Sequence, residues 1–139
     1  MQTSVHWLEN VAFEAKSEND HKIIMDGSPE YGGENRGPRP MELIFMGLGG
    51  CASFDIVTIL KKSRQDVTDV TCQLKADRAD SIPAVFTKIH LHFVVTGKNI
   101  KEKQVAKAIE LSAEKYCSAS KMLSDGGVEI THDFEIIEA

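Results

Sequence analysis

The sequence predicts a mixed α+β fold in which a long apolar helix lies between two groups of strands. The stretch 38–62 contains the longest apolar run of the chain. Stretches on either side of it alternate apolar and polar residues, as half-buried strands do. A later stretch, 101–116, has the periodicity of an amphipathic helix. At 139 residues the chain has the length of one domain, so we expect residues 1–139 to form a single domain.

The segment before the long helix is predicted to form three strands and a loop. Residues 5–15 alternate in polarity on both sides of Glu9-Asn10, which indicates a hairpin. Residues 21–26 form a third strand that ends at the turn-forming pair Asp26-Gly27. Residues 28–40 are rich in proline and glycine and therefore predict a loop that leads into the helix.

The central helix is predicted to begin near Met41. Pro40 suits the first turn because its missing N–H is not needed there, and the macrodipole favours the carboxylate of Glu42. Apolar residues then occur on every side of the helix until Lys61, which predicts a buried helix. Its roughly 24 residues would span about 36 Å at 1.5 Å per residue. That length exceeds the width of a small core and suggests a partner chain.

Three glycines, Gly47, Gly49 and Gly50, precede Cys51 in this helix. Each costs about 1 kcal/mol relative to alanine in a helix interior. Close helix packing, which a residue without Cβ permits, is one explanation. A close approach to Cys51 by backbone or substrate, or a bend in the helix, is the other, and the two are compatible.

The remaining elements are predicted from the same patterns, as strands at 69–79, 86–96 and 128–137 and helices at 101–116 and 121–123. Cys72 lies on the apolar face of its strand, so we expect a buried, unreactive thiol with a raised pKa. His90 and His92 share a polar face. Such a pair can bind a metal, but exposure to solvent is the expected state because no cysteine or carboxylate lies nearby in sequence. His132 is expected to be a hydrogen-bonded core histidine.

Charge and cysteine content restrict the possible functions. The net charge of −5 and the absence of a basic run argue against nucleic acid and membrane surfaces as partners. The N-terminus does not look like a signal peptide, and no run reaches the roughly 18 apolar residues of a membrane span. We therefore expect a cytoplasmic protein. Three cysteines without an export signal indicate reactive or buried thiols rather than a disulfide framework. No metal or other cofactor is expected.

Cys51 and Cys117 are the candidate reactive thiols, although they are too far apart in sequence to form a C-x-x-C motif. Reduction of a peroxide needs a deprotonated sulfur, an approach for substrate and a second thiol that condenses with the sulfenic acid. Arg36 or Arg39 would stabilise the thiolate, and Glu42 would hold the arginine. Cys117 precedes a short helix whose unpaired N–H groups favour its thiolate. Solvated arginines and two unrelated cysteines are the alternatives.

Two segments resemble the cysteine signatures of the OsmC/Ohr family of bacterial thiol peroxidases. They are Pro40-Met41-Glu42-Leu43-Ile44 with Gly49-Gly50-Cys51, and Cys117-Ser118-Ala119-Ser120-Lys121. The order of elements also matches over nearly the whole chain, and the similarity is greatest to the small OsmC-like branch. The resemblance implies an intertwined homodimer in which antiparallel sheets wrap the central helices and each site uses both chains. It implies that Cys51 is peroxidatic and Cys117 resolving. Organic hydroperoxides would be reduced to alcohols, and a dithiol would reopen the disulfide.

The chain departs from the family pattern at three positions. Met41 follows the proline where the family has its glutamate, so Glu42 is turned by about 100° around the helix. Ser118 replaces a proline. Asp55, one turn beyond Cys51, either raises the thiol pKa by its like charge or is a buried acid hydrogen-bonded elsewhere. A dimer that binds a small apolar or thiol-reactive ligand without turnover is therefore the alternative function, and a structural dimer with buried cysteines is the third.

Overall fold

The structure is a computed structural model that describes residues 1–139 without a gap. The chain divides into two compact units, Met1–Met46 and Gly47–Ala139. Helix α1, Pro40–Lys62, begins in the first unit and continues in the second. It begins within one residue of the predicted position, and the proline occupies its first turn as expected.

The first unit contains a three-stranded antiparallel sheet of β1 (Thr3–Glu9), β2 (Ala12–Ser17) and β3 (Lys22–Met25). The strand order is β1-β2-β3, so the predicted hairpin and third strand are confirmed. At the hairpin turn, the indole N–H of Trp7 donates to the carbonyl of Asn10 at 2.9 Å.

Asp26 organises the loop that joins this sheet to α1. The residue is 2% exposed, and its carboxylate accepts backbone N–H groups of Gly27 at 2.8 Å, Glu34 at 3.0 Å and Arg36 at 3.2 Å. These bonds, the one from Glu34 first, lower the pKa of Asp26. The loop predicted from its proline and glycine content is therefore held in a defined shape, and it includes a short 3-10 turn at Pro29–Tyr31.

The second unit contains the rest of α1, a three-stranded sheet and two further helices. Its elements are β4 (Asp66–Arg78), β5 (Phe86–Lys98), α2 (Glu102–Leu111), α3 (Ser118–Asp125) and β6 (Glu129–Glu138). The strand order is β4-β5-β6. β4 pairs antiparallel with β5, but β6 pairs parallel with it. This sheet is therefore mixed, whereas antiparallel sheets were expected. The two helices between β5 and β6 provide the crossover that a parallel pair needs.

One stripe of α1 lies in the core of the second unit. Leu48, Ala52, Ile56 and Leu60 recur every four residues and are at most 2% exposed. Other fully buried side chains come from β5 and α2: Ile89, Leu91, Phe93, Val95, Val105 and Ala108. Gly49 shows how closely the helix approaches the sheet, because a Cβ there would lie 2.8 Å from Cδ1 of Leu74. Close packing therefore explains this glycine.

Outside this stripe, α1 carries exposed apolar side chains. Ile44, Met46 and Phe54 are 48%, 53% and 72% exposed. The most apolar 18-residue window of α1 has a mean hydropathy of 1.9, and only 28% of that window is buried inside the protein. By length and composition alone this helix could cross a membrane, contrary to the expectation from the apolar runs, although core helices of soluble proteins also meet that criterion. The sequence predicted that α1 is buried on every side, but in the structure only the stripe from Leu48 to Leu60 is fully buried.

The amphipathic segment 101–116 is not one uniform helix. After Leu111 the backbone widens into a π-helical turn, Ser112–Tyr116, and α3 then begins directly after Cys117. π-helical turns are rare and often occur at functional sites. The interruption therefore lies immediately before the second candidate thiol.

Candidate functional site

Cys51 lies in α1 and is partly exposed. Its neighbour Gly50, like Gly47, has nothing within 4 Å of the place where a Cβ would be. The helix surface around Cys51 is therefore left open by the chain itself. This openness fits the sequence-based expectation that substrate or another backbone approaches the thiol.

Cys117 is the N-cap residue of α3 and is 3% exposed. Its backbone N–H donates to the carbonyl of Ser112 at 2.9 Å, which closes the π-helical turn. Its sulfur accepts the backbone N–H of Ser120 at 3.4 Å. The thiol thus faces the first turn of a helix, as predicted from the sequence.

Folding brings the Cys51 and Cys117 side chains together. They lie near enough to each other for Cys51 to influence the ionisation of Cys117. No disulfide joins them, and both are free cysteines. Two thiols far apart in sequence are therefore neighbours within the second unit.

Burial is the largest influence on Cys117 and raises its pKa. The hydroxyl and N–H of Ser120 act in the opposite direction, and Cys51 adds to the increase. The net result is a pKa above its usual value. The helix start favours the Cys117 thiolate through the N–H of Ser120, as expected, but desolvation outweighs this contribution in the reduced protein.

Asp55 links the helix that carries Cys51 to the turn that precedes Cys117. Its Oδ2 accepts the hydroxyl of Ser112 at 2.9 Å. Ser112 is 3% exposed and begins the turn that ends at Cys117, whereas Asp55 lies one helical turn after Cys51. Of the two sequence-based interpretations of Asp55, the hydrogen-bonded acid is the one the structure supports.

A cavity of about 240 Å³ adjoins Cys117. Its lining includes Lys115, Tyr116, Ser118 and Lys121. The cavity gives a small molecule room beside the π-helical turn. Two lysines at its rim make it more favourable for an anionic molecule than for a cationic one.

Arg36, Arg39 and Glu42, the other candidate site residues, lie in the first unit. Nη1 of Arg36 donates to Glu9 at 3.2 Å, and Nη1 of Arg39 donates to Asn35 at 3.2 Å. The carboxylate of Glu42 accepts the backbone N–H of Arg39 at 3.0 Å and so caps the start of α1. Glu42 therefore contacts the backbone of Arg39, and the expectation that it pairs with a guanidinium is not met within the chain.

Cys72 has the properties predicted for an unreactive thiol. It lies on the more buried face of β4, and burial raises its pKa to about 11. Ser53 on α1 opposes this increase weakly through a hydrogen bond. Cys72 therefore has very little thiolate at neutral pH.

A polar cluster on the outer face of the second sheet was missed from the sequence. His90 Nε2 and His92 Nδ1 both bond to Oδ1 of Asp133, at 2.8 and 2.7 Å. The Asp133 bond raises the pKa of His92, and the histidines lower the pKa of Asp133. The three are not arranged as metal ligands. No carboxylate lies near the two histidines in sequence, but the pairing of β6 with β5 brings Asp133 beside them. His132, on the inner face, stacks on Phe93 with 6.5 Å between ring centroids.

Comparisons with known proteins agree with the resemblance seen in the sequence. A family model described as OsmC-like protein matches residues 32–133. Protein YhfA of Escherichia coli strain K12 is 45% identical over 139 residues, and the alignment covers 100% of both chains.

Solved structures with the same fold include a hypothetical protein from Aquifex aeolicus VF5, which is 27% identical. It has a TM-score of 0.87 and covers 99% of this chain and 96% of its own. An organic hydroperoxide resistance protein OsmC from Legionella pneumophila has a TM-score of 0.73 at 18% identity, with 96% and 95% covered. At that identity the second likeness shows the fold alone. The family model spans most of the chain and protein YhfA spans all of it, and the chain therefore belongs to the OsmC-like protein family.

Proposed function

We propose that this protein reduces organic hydroperoxides through Cys51 and Cys117. The observation that carries the proposal is the proximity of these two thiols within one chain. A structural relative is an organic hydroperoxide resistance protein, which agrees with this chemistry. A resolving thiol must be able to form a disulfide, which requires its Cα atom to come within about 7 Å of that of the peroxidatic cysteine.

The electrostatics of the pair support different roles for the two thiols. Burial, and to a smaller extent Cys51, raise the pKa of Cys117, so Cys117 keeps its proton at neutral pH. Cys51 is also the more exposed of the two. Cys51 is therefore the peroxidatic thiol in this proposal and Cys117 the resolving one.

The reaction then proceeds in three balanced steps. The Cys51 thiolate attacks the distal oxygen of the hydroperoxide, the O–O bond breaks, and with one proton the products are an alcohol and Cys51 sulfenic acid. Cys117 attacks the oxidised sulfur, so that a disulfide and one water form. An external dithiol reduces the disulfide by thiol–disulfide exchange and is itself oxidised.

The proposal includes Arg36 or Arg39 as the guanidinium that stabilises the thiolate. Both make exposed polar contacts, and an exposed ion pair such as Arg36–Glu9 contributes only about 0–1 kcal/mol. Either guanidinium can therefore leave its present partner for a thiolate at small cost. Glu42 would contribute by fixing the backbone of Arg39.

We also propose that the active form is a homodimer, and that the protein is soluble and cytoplasmic. Phe54 is 72% exposed on a helix whose most apolar window is 28% buried. A second copy that covers this surface would bury it without a membrane. The net charge of −5 gives no basic surface for nucleic acid.

The direct test is turnover of cumene hydroperoxide by the purified protein with a dithiol reductant. We expect Cys51→Ser to abolish consumption and Cys117→Ser to permit one oxidation per chain without a disulfide. Cys72→Ser is the matched control and should retain the parental rate. A Cys51→Ser protein as active as the parent would exclude the proposal. Disulfide formation without steady turnover would favour the non-catalytic ligand-binding alternative.

A further inference from the structure

The side chain of Ser120 has an unusual environment. The residue is 4% exposed, and its hydroxyl is the one buried side-chain nitrogen or oxygen in the chain without a hydrogen-bond partner. A buried hydroxyl without a partner destabilises a fold, so native proteins rarely keep one without a function. Alanine would fit the same helix position and bury no polar atom.

Ser120 lies in the first turn of α3, directly beside the Cys117 sulfur. Its backbone N–H donates to that sulfur at 3.4 Å. Its hydroxyl favours the charged form of the same thiol. The N–H therefore already contacts this sulfur, and the hydroxyl, which has no partner in the reduced protein, is free to bond to it when the sulfur becomes charged.

We propose that Ser120 takes part in the resolving step, in which its hydroxyl and N–H stabilise the negative charge on Cys117 while this sulfur attacks oxidised Cys51. The assignment rests on the proposed pairing of the two cysteines. In the reduced protein Cys51 opposes ionisation of Cys117. Oxidation to the neutral sulfenic acid removes that opposing charge, and Ser120 remains.

The atoms of the step balance. Cys117 loses its proton, its sulfur forms the S–S bond, and the S–O bond of Cys51 breaks. The departing hydroxide takes up the proton and leaves as water. The other ionisable groups beside Cys117 are Cys51 on α1 and, around the adjoining cavity, Glu114, Lys115, Tyr116 and Lys121.

The test isolates the nucleophilicity of Cys117 from any reaction with peroxide. In a Cys72→Ser background, the partly exposed Cys51 is converted to a mixed disulfide with one equivalent of 5,5′-dithiobis(2-nitrobenzoate). Peptide mapping of the Cys117→Ser form verifies which thiol is labelled. Attack by Cys117 then forms the Cys51–Cys117 disulfide and releases a second thionitrobenzoate, which is coloured and gives the rate directly.

We expect Ser120→Ala to slow this release about tenfold or more, because a hydrogen bond to a charged group is lost. The pH midpoint of the rate should move to higher pH. Ser118→Ala is the matched control, since it removes an exposed hydroxyl from the same turn. Ser120→Thr keeps a hydroxyl and should restore much of the rate.

A purely structural role for Ser120 predicts different results. We expect the melting temperature of reduced Ser120→Ala to equal or exceed that of the parent, because the variant loses an unpartnered buried hydroxyl. The same rate and pH profile for the parent, Ser120→Ala and Ser118→Ala would overturn the proposal, as would a parent that never releases the second thionitrobenzoate. If Ser120→Ala does not fold, Ser120→Gly is tested instead, and we expect the same decrease in the rate of thionitrobenzoate release. Peroxide consumption is measured separately, so failure of the proposed activity is distinguishable from failure of this assignment.

Discussion

Replacing Asp55 by alanine removes the acceptor of the Ser112 hydroxyl, which now lies 2.9 Å from the carboxylate. Ser112 is 3% exposed, so water has little access to replace the lost partner. An unsatisfied buried hydroxyl costs about 1–3 kcal/mol. Ser112→Ala leaves the carboxylate without its donor and should cost a similar amount. We therefore expect each variant to lower the free energy of unfolding by about 1–3 kcal/mol.

The double variant Asp55→Ala/Ser112→Ala removes both partners and should cost less than the sum of the single changes. Contacting residues in such cycles couple by about 0.5–3 kcal/mol. The assay is urea unfolding of the reduced protein, followed by circular dichroism. Effects that add within about 0.5 kcal/mol would refute the argument. Ser118→Ala, at an exposed position, is the control and should change stability by no more than about 0.5 kcal/mol.

The same bond also has a chemical consequence, because it joins α1 one turn after Cys51 to the turn that ends at Cys117. Asp55→Ala should therefore slow disulfide formation as well as weaken the fold. Asp55→Asn keeps an acceptor oxygen and removes the charge. If the role of Asp55 is spacing, Asp55→Asn should restore most of the rate; an increase above the parental rate would instead indicate charge repulsion.

Three further outcomes are expected. Iodoacetamide should modify Cys72 far more slowly than Cys51. A thiol with a pKa of about 11 is deprotonated in only roughly one molecule in a thousand near pH 8. Peptide mass spectrometry measures both rates, and equal rates would contradict this reasoning. Gly50→Ala should raise the free energy of unfolding of a monomer by about 1 kcal/mol, because an added Cβ meets nothing within 4 Å in the chain. If a second copy packs against Gly50, the same change should weaken the dimer. Sedimentation across a concentration series distinguishes the two effects. Asp133→Asn should lower the pKa of His92 in an NMR titration, since the Asp133 bond raises it above 6.5. The raised pKa of His92 stabilises the fold fully below about pH 6.5, and this contribution is lost as the pH rises through the folded-state pKa. The lowered pKa of Asp133 stabilises the fold above about pH 3.8, and this contribution is lost as the pH falls through its folded-state pKa. The difference in unfolding free energy between parent and variant should therefore be largest between about pH 3.8 and 6.5 and shrink on both sides.

Local patterns predicted most of the fold because each element carries its own periodicity. β4 alternates between exposed and partly buried residues as its sequence does, and α1 begins where proline and glutamate indicate. The direction of β6 could not be predicted in this way, since it depends on the crossover between β5 and β6. The cluster of His90, His92 and Asp133 depends on that same parallel pairing.

The π-helical turn was missed because the helical period of 101–116 continues through it. A usable signal was nevertheless present in two residues. Ser112 lies on the apolar stripe of its helix, and Asp55 is a charged residue within the apolar run of α1. A buried polar group needs a partner, so two such residues on two apolar surfaces can be expected to meet. The hydrogen bond between Asp55 and Ser112 is that meeting, and it joins the helix that carries Cys51 to the turn that precedes Cys117.

The proposed homodimer, in which each site uses both chains, can be tested with Phe54. Cys51 and Cys117 meet within the second unit, whereas Arg36 and Arg39 belong to the first. Phe54→Glu changes a side chain that is 72% exposed, so it should leave the fold of the chain intact but prevent a second copy from covering α1. We expect a monomer that still forms the Cys51–Cys117 disulfide with diamide but has lost most hydroperoxide turnover. Ile82→Glu, at a side chain that is fully exposed outside α1, should remain dimeric and active. A monomeric Phe54→Glu protein with parental turnover would show that one chain holds the complete site.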